Sequence, residues 1–239
     1  MGKKRADATK GYDVDAVFGP LAAVRQVKEM ATAKFDETVD VVFNLSIDPR
    51  QAEQAVRGTV SLPHGTGKDV KVVVFAEGDD ARAAEAAGAD LVGGADLAAS
   101  VESGSQAIDW DVTISHPSLM AEVGKLGKAL GPRGLMPNPK AGTVTTDIGK
   151  TVMEFKSGRV EYRNDRFGNV HLPIGKVSFE PEQLAANLAA AVDELNRAKP
   201  ASSKGRYLKK ISLASTMGPG VKLDINTLDD LKELRAPRG

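Results

Sequence analysis

The middle of this chain alternates between segments typical of strands and segments typical of helices, and this alternation limits its possible folds most. Residues 70–75 form a nearly continuous apolar run, as expected for a strand covered on both faces. An alanine-rich helical segment follows at 79–87. Residues 89–92, 96–103 and 111–114 continue the order strand, helix and strand. This spacing predicts a small, largely parallel α/β sheet.

The segments on either side have a different pattern. Residues 13–32 are predicted to be mostly helical, with Gly19-Pro20 breaking or restarting the helix. Residues 39–47 and 58–62 are predicted to form strands. Residues 159–162 and 169–177 are predicted to pair as a hairpin across the turn Asn-Asp-Arg-Phe-Gly. Hairpins combined with helices favour an α+β domain that is assembled from both ends of the chain.

A long helix and a basic strand complete the second flank. Proline suits the first position of a helix, so Pro181 is predicted to open one. The apolar residues of this helix share one face: Leu184, Leu188, Val192 and Leu195. Residues 204–216 are predicted to form a basic strand, and residues 224–239 an added charged helix.

The charge distribution supports a division into two domains. The chain has 32 basic and 32 acidic residues, so its net charge is zero. Residues 69–157 carry 8 basic and 13 acidic residues, a net charge of −5, while the flanks 1–68 and 158–239 together carry +5. Phosphate binding depends on local positive potential, so a zero total does not exclude a nucleic-acid binder. The middle segment is predicted to be an insertion, with a hinge at Gly67, Lys68, Ser157 and Gly158.

Nucleotide binding has little support in the sequence. A Walker loop requires glycine where Leu62 stands, and Ser or Thr where Asp69 follows Lys68. The segment Phe-Ala-Glu-Gly-Asp-Asp at 75–80 has one glycine where the dinucleotide fingerprint has three. A nucleotide-binding module or small-molecule enzyme built on the α/β unit is therefore only the second interpretation, and we expect no cofactor.

Catalytic and metal sites are also unsupported. The chain has no cysteine, and its three histidines are too scattered for a metal cluster. His64 and His116 adjoin glycine or proline and suit turns, while His171 on a predicted strand suits either surface recognition or a structural role. No apolar run could span a bilayer, and the charged start lacks the apolar segment of a secretory signal. We expect a cytoplasmic protein that is not an enzyme.

Residues 124–140 are unusual in composition. After a predicted helix at 118–130, the segment combines four glycines, three prolines and four basic residues. This composition suits either an exposed loop whose backbone N–H groups meet a phosphate backbone, or a long structural turn. The residues concerned are Gly131, Pro132, Arg133, Gly134 and Lys140.

Part of this segment resembles a known signature. Residues 130–140, Leu-Gly-Pro-Arg-Gly-Leu-Met-Pro-Asn-Pro-Lys, are similar to the signature of the ribosomal L-one family, the stalk proteins of the large ribosomal subunit. Other motifs match the bacterial pattern of that family in the same order: Thr-Ala-Lys-Phe-Asp-Glu-Thr at 32–38, Val-Arg-Gly-Thr at 56–59, Leu-Pro-His-Gly-Thr-Gly-Lys at 62–68, Tyr-Arg-Asn-Asp at 162–165, Ile-Gly-Lys at 174–176 and Ser-Thr-Met-Gly at 215–218.

The resemblance covers residues 31–221 and carries expectations about fold and function. It implies an α+β first domain formed by both chain termini, with an inserted α/β Rossmann-like second domain. It also implies binding to large-subunit rRNA, a mobile stalk near the tRNA exit site, and help in releasing deacylated tRNA from that site. Members of the family commonly repress their own operon by binding its leader mRNA.

The resemblance also implies an RNA-binding surface on the first domain. Hydroxyl groups there would read ribose 2′-hydroxyls, lysines would contact phosphates, and Met217 would contact bases or riboses. Phe35 suits either the same contact or core packing. The residues implied are Glu29, Lys34, Phe35, Thr38, His171, Lys176, Ser212, Ser215, Thr216, Met217 and Gly218.

Overall fold

The computed structural model describes residues 9–10, 12–203 and 205–234, which combine helices with several β-sheets. Contacts between Cα atoms divide the chain into two compact units. The first unit contains the residues up to Lys68 together with those from Val160 onward, and the second contains Asp69–Arg159. None of the helices formed by the described residues has the length and hydrophobicity needed to cross a membrane.

The strands and helices are numbered in chain order. The strands within the described residues are β1 (Val17–Phe18), β2 (Thr38–Leu45), β3 (Arg57–Ser61), β4 (Val72–Phe75), β5 (Leu91–Gly93), β6 (Val112–Ser115), β7 (Arg159–Arg163), β8 (Asn169–Lys176), β9 (Leu208–Ser215) and β10 (Val221–Leu223). The α-helices are α1 (Pro20–Glu29), α2 (Gly78–Ala86), α3 (Ala95–Glu102), α4 (Met120–Lys125), α5 (Gly127–Leu130), α6 (Ile148–Lys156) and α7 (Pro181–Arg197). Short 3₁₀ helices span Ala52–Gln54, Pro117–Leu119, Pro139–Ala141 and Ile225–Leu234.

A five-stranded sheet with the order β1-β10-β9-β2-β8 forms the centre of the first unit. The pair β1–β10 is parallel, and the other neighbours are antiparallel. Helices α1 and α7 pack their apolar residues with the buried strand residues in one core. The expected face of α7 is confirmed, since Leu184, Leu188, Val192 and Leu195 are all buried.

The second unit contains a three-stranded parallel sheet with the order β5-β4-β6, which confirms the expected small parallel sheet. All four residues of β4 are buried. Val73 and Phe75 pack in one apolar cluster with α3, α4 and α5, while Val72 and Val74 pack in another with α2 and α6. Coverage on both faces explains why this strand is apolar at every position.

The expected hairpin between residues 159–162 and 169–177 is wrong. Strand β7 pairs with β3 in a separate two-stranded sheet, and β8 pairs with β2, leaving only an isolated bridge between Asn164 and Val170. Asn164 holds β7 beside β3 because its backbone N–H donates to Val56 O (3.0 Å) and its Oδ1 accepts from Val56 N–H (2.8 Å). The partner of each strand is therefore set by distant segments.

Three helical expectations also need correction. In the segment 13–32 only α1 is helical, and β1 precedes it, because Pro20 occupies the first turn of the helix. The segment 118–130 is divided into a 3₁₀ turn, α4 and α5. The tail forms the 3₁₀ helix Ile225–Leu234, and the predicted residues 235–239 lie outside the described part of the chain. Helix α6 was not predicted.

The loop that resembles a phosphate loop is held by one buried side chain. Asn187 of α7 is fully buried, and its Oδ1 accepts from His64 N–H at 3.0 Å. Its Nδ2 donates to Gly65 O (2.9 Å) and Ile174 O (2.8 Å). The oxygen of this amide accepts one hydrogen bond and its nitrogen donates two. The loop is therefore anchored to the core of the first unit.

We predict that Asn187→Ala lowers the free energy of unfolding by about 3 kcal/mol, because it removes a buried amide and leaves three backbone groups, of which Ile174 O is buried, without this partner. The measurement is urea denaturation followed by circular dichroism. The matched control is Asn196→Ala, at an exposed position of the same helix, which we expect to change stability by less than about 0.5 kcal/mol. Equal effects of the two substitutions would contradict the anchoring role.

Candidate nucleic-acid interface

One end of the five-stranded sheet gathers residues from three strands that are far apart in sequence. Strand β2 begins at Thr38, and it runs antiparallel to β8 and β9, which end beside it. The register places Thr38 opposite Lys176 and Val39 opposite Ser215. We call Thr38, Lys176, Ser215 and Thr216 the strand-end cluster; all four were expected from the sequence.

Hydrogen bonds lock the cluster together. Thr38 N–H donates to Thr216 Oγ1 (3.0 Å), and Thr216 N–H donates to Thr38 O (3.0 Å). Lys176 Nζ donates to Thr38 Oγ1 at 2.8 Å. These polar groups therefore hold the surface in shape, in addition to any contact that they make with a ligand.

Glu37 connects the cluster to the preceding segment. Its side chain is only 1% exposed. Its Oε1 accepts from Ala33 N–H, and its Oε2 accepts from Met217 N–H, both at 2.8 Å. Burial acts to raise the pKa of this carboxyl, but the hydrogen bonds that it accepts, led by those from Met217 and Ala33, together outweigh burial and hold the pKa below its ordinary value. One buried carboxylate thus joins two exposed surface segments.

Glu37 was not predicted to be a site residue, although its position in the sequence carries a signal. Side chains alternate between the two faces of a strand, so residues two positions apart share a face. Glu37 precedes Val39 by two residues and Val41 by four, and both valines are fully buried. This periodicity predicts that the Glu37 side chain points to the inner side of the sheet, although the neighbouring Asp36 is exposed.

Two large apolar side chains are exposed beside the cluster. Phe35 is 56% exposed and Met217 is 61% exposed. For Phe35, of the two interpretations that the sequence left open, exposure favours contact with a ligand over core packing. Lys34 is also exposed. The two segments beside the cluster thus present an aromatic ring, a thioether and a cation.

The turn at residues 215–218 requires its glycine. Gly218 N–H donates to Ser215 O at 3.1 Å and closes the turn. A Cβ atom at position 218 would lie 2.4 Å from Ser215 Oγ, closer than real Cβ contacts allow. Only glycine fits there without displacing Ser215, so Met217 is held at the tip of a turn of fixed shape.

His171 and Ser212 lie elsewhere, on the sheet face opposite to α1 and α7. In register they form a row with Val42 between them, and Lys222 extends the row beyond Ser212. The His171 side chain is 60% exposed, with Nε2 3.6 Å from Asp165 Oδ2. We call this the open face. The position favours surface recognition by His171 over a core role.

Two further lysines belong to the open face and were missed. Lys210 pairs with Asn44, and Lys222 pairs with Ser212. Both are exposed, and Lys222 Nζ donates to Asp15 Oδ1 at 2.7 Å. The two-residue period along β9 from Ser212 would have identified Lys210.

Glu29 is placed apart from the strand-end cluster. It is exposed at the end of α1, on the wall of an open groove of about 660 Å³ that the 3₁₀ helix Ile225–Leu234 also lines. Among the described residues no hydrogen bond joins its carboxylate to the cluster. The structure therefore does not bring Glu29 together with the other expected residues.

The glycine-rich loop of the second unit is largely a structural turn. The N–H groups of Gly131, Gly134 and Leu135 donate to carbonyl oxygens of Gly127, Gly131 and Leu130 within the loop. The expectation that its backbone N–H groups are accessible is therefore wrong for these three. Arg133 Nη1 donates to Ile108 O at 2.8 Å. Pro132, Arg133 and Lys140 are exposed.

Two of the expected hinge residues have left-handed backbone conformations that favour glycine: Gly67 has φ 68° and Gly158 has φ 112°. A Cβ atom at position 67 would lie 2.8 Å from the Phe179 ring. Ser157 caps the end of α6. Within the described residues, no three His, Asp or Glu side chains converge as a metal site.

Comparison with known proteins decides the family. A profile of the Ribosomal protein L1p/L10e family matches residues 27–219. Similar proteins named large ribosomal subunit protein uL1 occur in Streptomyces sp. (strain FRI-5), Streptomyces virginiae and Kitasatospora aureofaciens. They are 55%, 55% and 54% identical to this chain over 228 residues, which cover 95% of the chain and 93% of each relative. The chain belongs to the Ribosomal protein L1p/L10e family.

Membership in this family confirms the resemblance found in the sequence. The family is a structural family of ribosomal proteins, so the expectation that the chain is not an enzyme is also confirmed. The expected cytoplasmic location follows from the same membership.

We predict that Glu37→Gln destabilises the first unit by about 1–3 kcal/mol at pH 7, because an amide has one acceptor oxygen where two N–H donors point. The folded pKa of Glu37 is depressed, so the carboxylate stabilises the fold above its unfolded pKa, and this contribution is lost as pH falls through the folded pKa. The stability difference between the two proteins should therefore shrink as the medium is acidified.

The measurement is denaturation at several pH values, with hydrogen exchange at the Met217 amide as a local probe. Glu85→Gln, at an exposed carboxylate of α2, serves as the control and should change neither quantity. Unaltered exchange of the Met217 amide in Glu37→Gln would show that the carboxylate does not hold the turn.

Proposed function

We propose that this chain is a structural constituent of the large ribosomal subunit that binds large-subunit rRNA through its first unit. The observation that carries the proposal is the strand-end cluster, which gathers residues expected for RNA binding from β2, β8 and β9. The names of the relatives, large ribosomal subunit protein uL1, support the same conclusion.

The chemistry of the surface suits folded RNA. A group of strand ends that is fixed by hydrogen bonds loses little conformational entropy when a ligand binds. Phe35 and Met217 offer exposed apolar surface for bases or riboses, and Lys34 supplies positive charge for phosphates. Threonine hydroxyls and exposed backbone at the cluster suit ribose 2′-hydroxyls, which distinguish RNA from DNA.

We further propose that the second unit forms the moving end of a stalk near the tRNA exit site and helps to release deacylated tRNA. In this proposal the two units are the α+β and the inserted Rossmann-like domains, connected at Gly67, Lys68, Ser157 and Gly158. The exposed Arg133 and Lys140 would then face tRNA. The motivation is the family resemblance together with the positive φ angles of the two glycines.

Repression of the chain's own operon belongs to the same proposal. A leader mRNA that copies the shape of the rRNA site would use the same strand-end cluster, so no second surface is needed. The competing interpretation, a nucleotide-binding enzyme, is not favoured. The Asn187 amide is hydrogen-bonded to backbone groups of the loop at 62–68, among them the His64 N–H group that could otherwise donate to a phosphate. The family is also not enzymatic.

We predict that the protein binds a large-subunit rRNA fragment at least 10³-fold more tightly than a scrambled RNA of equal length at physiological salt, a ratio in the range of specific nucleic-acid binding. Filter binding or fluorescence anisotropy over a salt series would measure both affinities. Equal affinity for the two RNAs would overturn the proposal.

We also predict that Met217→Asp weakens binding to the rRNA fragment at least tenfold, because it removes an apolar contact and adds negative charge near phosphates. The control is Met153→Asp, the same change at a residue that is 56% exposed on α6. Circular dichroism should show both variants folded. Comparable losses in the two variants would contradict the assignment of the site to the 215–218 turn.

A further inference from the structure

Asp40 lies in the middle of the open face. It occupies β2 two residues after Thr38 of the strand-end cluster and two before Val42 of the row between His171 and Ser212. Side chains at these alternate positions share one face of the sheet. An RNA that contacts both the cluster and the row would therefore pass over Asp40.

The residues that flank Asp40 across the sheet offer its carboxylate no side-chain hydrogen-bond donor. In register it stands between Ala214 of β9 and Pro173 of β8, and neither side chain has a hydrogen-bond donor. Among the described residues no side chain or backbone group donates to its carboxylate. The two basic side chains that act on it electrostatically have other partners, since Lys176 Nζ donates to Thr38 Oγ1 and His171 Nε2 lies 3.6 Å from Asp165 Oδ2.

This arrangement is unfavourable in the isolated protein. Asp40 is half-buried. Burial raises the pKa of its carboxyl above the ordinary value, although the charges of His171 and Lys176 act to lower it. A partly buried acceptor without a donor destabilises the fold, and a threonine or valine would suit the position better. The carboxylate is thus an unused acceptor on a face that is proposed to meet RNA.

We propose that Asp40 is a specificity-determining residue, whose carboxylate accepts a hydrogen bond from a donor group of the bound RNA, a ribose 2′-hydroxyl or a base amine. The inference rests on the proposed RNA-binding function. A phosphate has only acceptor oxygens and negative charge, so it is repelled from this position. Asp40 therefore excludes the backbone from the centre of the open face and selects RNA whose sugar or base edges are presented there.

The test compares Asp40→Asn and Asp40→Ala with the wild-type chain, using the rRNA fragment and the scrambled RNA. We expect Asp40→Ala to lose about tenfold or more in affinity for the fragment, the range for a hydrogen bond to a charged group. Asp40→Asn keeps a neutral acceptor oxygen and should lose less than Asp40→Ala. Their affinity for scrambled RNA should stay equal or rise, because a negative charge has been removed. The control Asp230→Asn makes the same charge change at an exposed residue of the first unit and should retain the preference.

Both variants should fold, with melting temperatures at or above that of the wild type, because an unpaired charge is removed from a half-buried position. A variant that kept the wild-type preference for the fragment would overturn the inference. Equal tightening toward both RNAs would do the same, since it would show only removal of repulsion. Failure of the wild-type chain itself to prefer the fragment would instead overturn the proposed function.

Modified RNAs identify the donor. Single 2′-deoxy substitutions remove a hydroxyl. Inosine, purine riboside and pyrimidin-2-one riboside, in place of guanosine, adenosine and cytidine, each remove a base amine. At the contacted nucleotide, the modification should weaken binding of the wild-type chain but have no further effect on Asp40→Ala. Coupling between Asp40→Ala and a deoxy position would identify the ribose hydroxyl as the donor. Coupling to a nucleotide that lacks its base amine would identify the base amine as the donor. Absence of coupling across both series would also overturn the inference.

Discussion

The register of β2 between β8 and β9 determines the rest of the first unit. Val39, Val41 and Phe43 are fully buried, so their burial decides which face of β2 points to α1 and α7. A slip of one residue would expose these three and bury Thr38 and Asp40. The same register brings the start of β2 beside the ends of β8 and β9. The core and the candidate RNA surface are therefore fixed by one set of contacts.

Glu37 extends this dependence beyond the end of the strand. Its side chain points to the same side of the sheet as the core residues. It carries a negative charge, however, which is stabilised by hydrogen bonds from backbone N–H groups. Those donors belong to Ala33 and Met217, on the two segments that expose Phe35 and Met217. Burial of one carboxylate thus positions two apolar side chains on the surface, and each segment depends on the other for its shape.

Periodicity predicted the elements whose burial is local, such as β4 and α7. It failed for the pairing of β7 and β8. Strand β7 pairs with β3 next to Val56, and β8 pairs with β2, and both partners are distant in sequence. The resemblance identified Thr38, Lys176 and Thr216, but not that their polar groups bind one another. Asp40 and Lys210 carry no motif; only strand register shows that they share a face with expected residues.

If the first unit binds RNA as proposed, its distribution of charge favours recognition of a particular RNA over general attraction to phosphates. Lys176 and Lys222 already donate to Thr38 and Asp15. Asp40 adds negative charge between the cluster and the row, where a nonspecific binder would carry a cation. A surface of this kind gains less from counterion release. Affinity for the proposed RNA would then come mainly from apolar contacts and hydrogen bonds, which form only when the shape of the RNA matches the sheet.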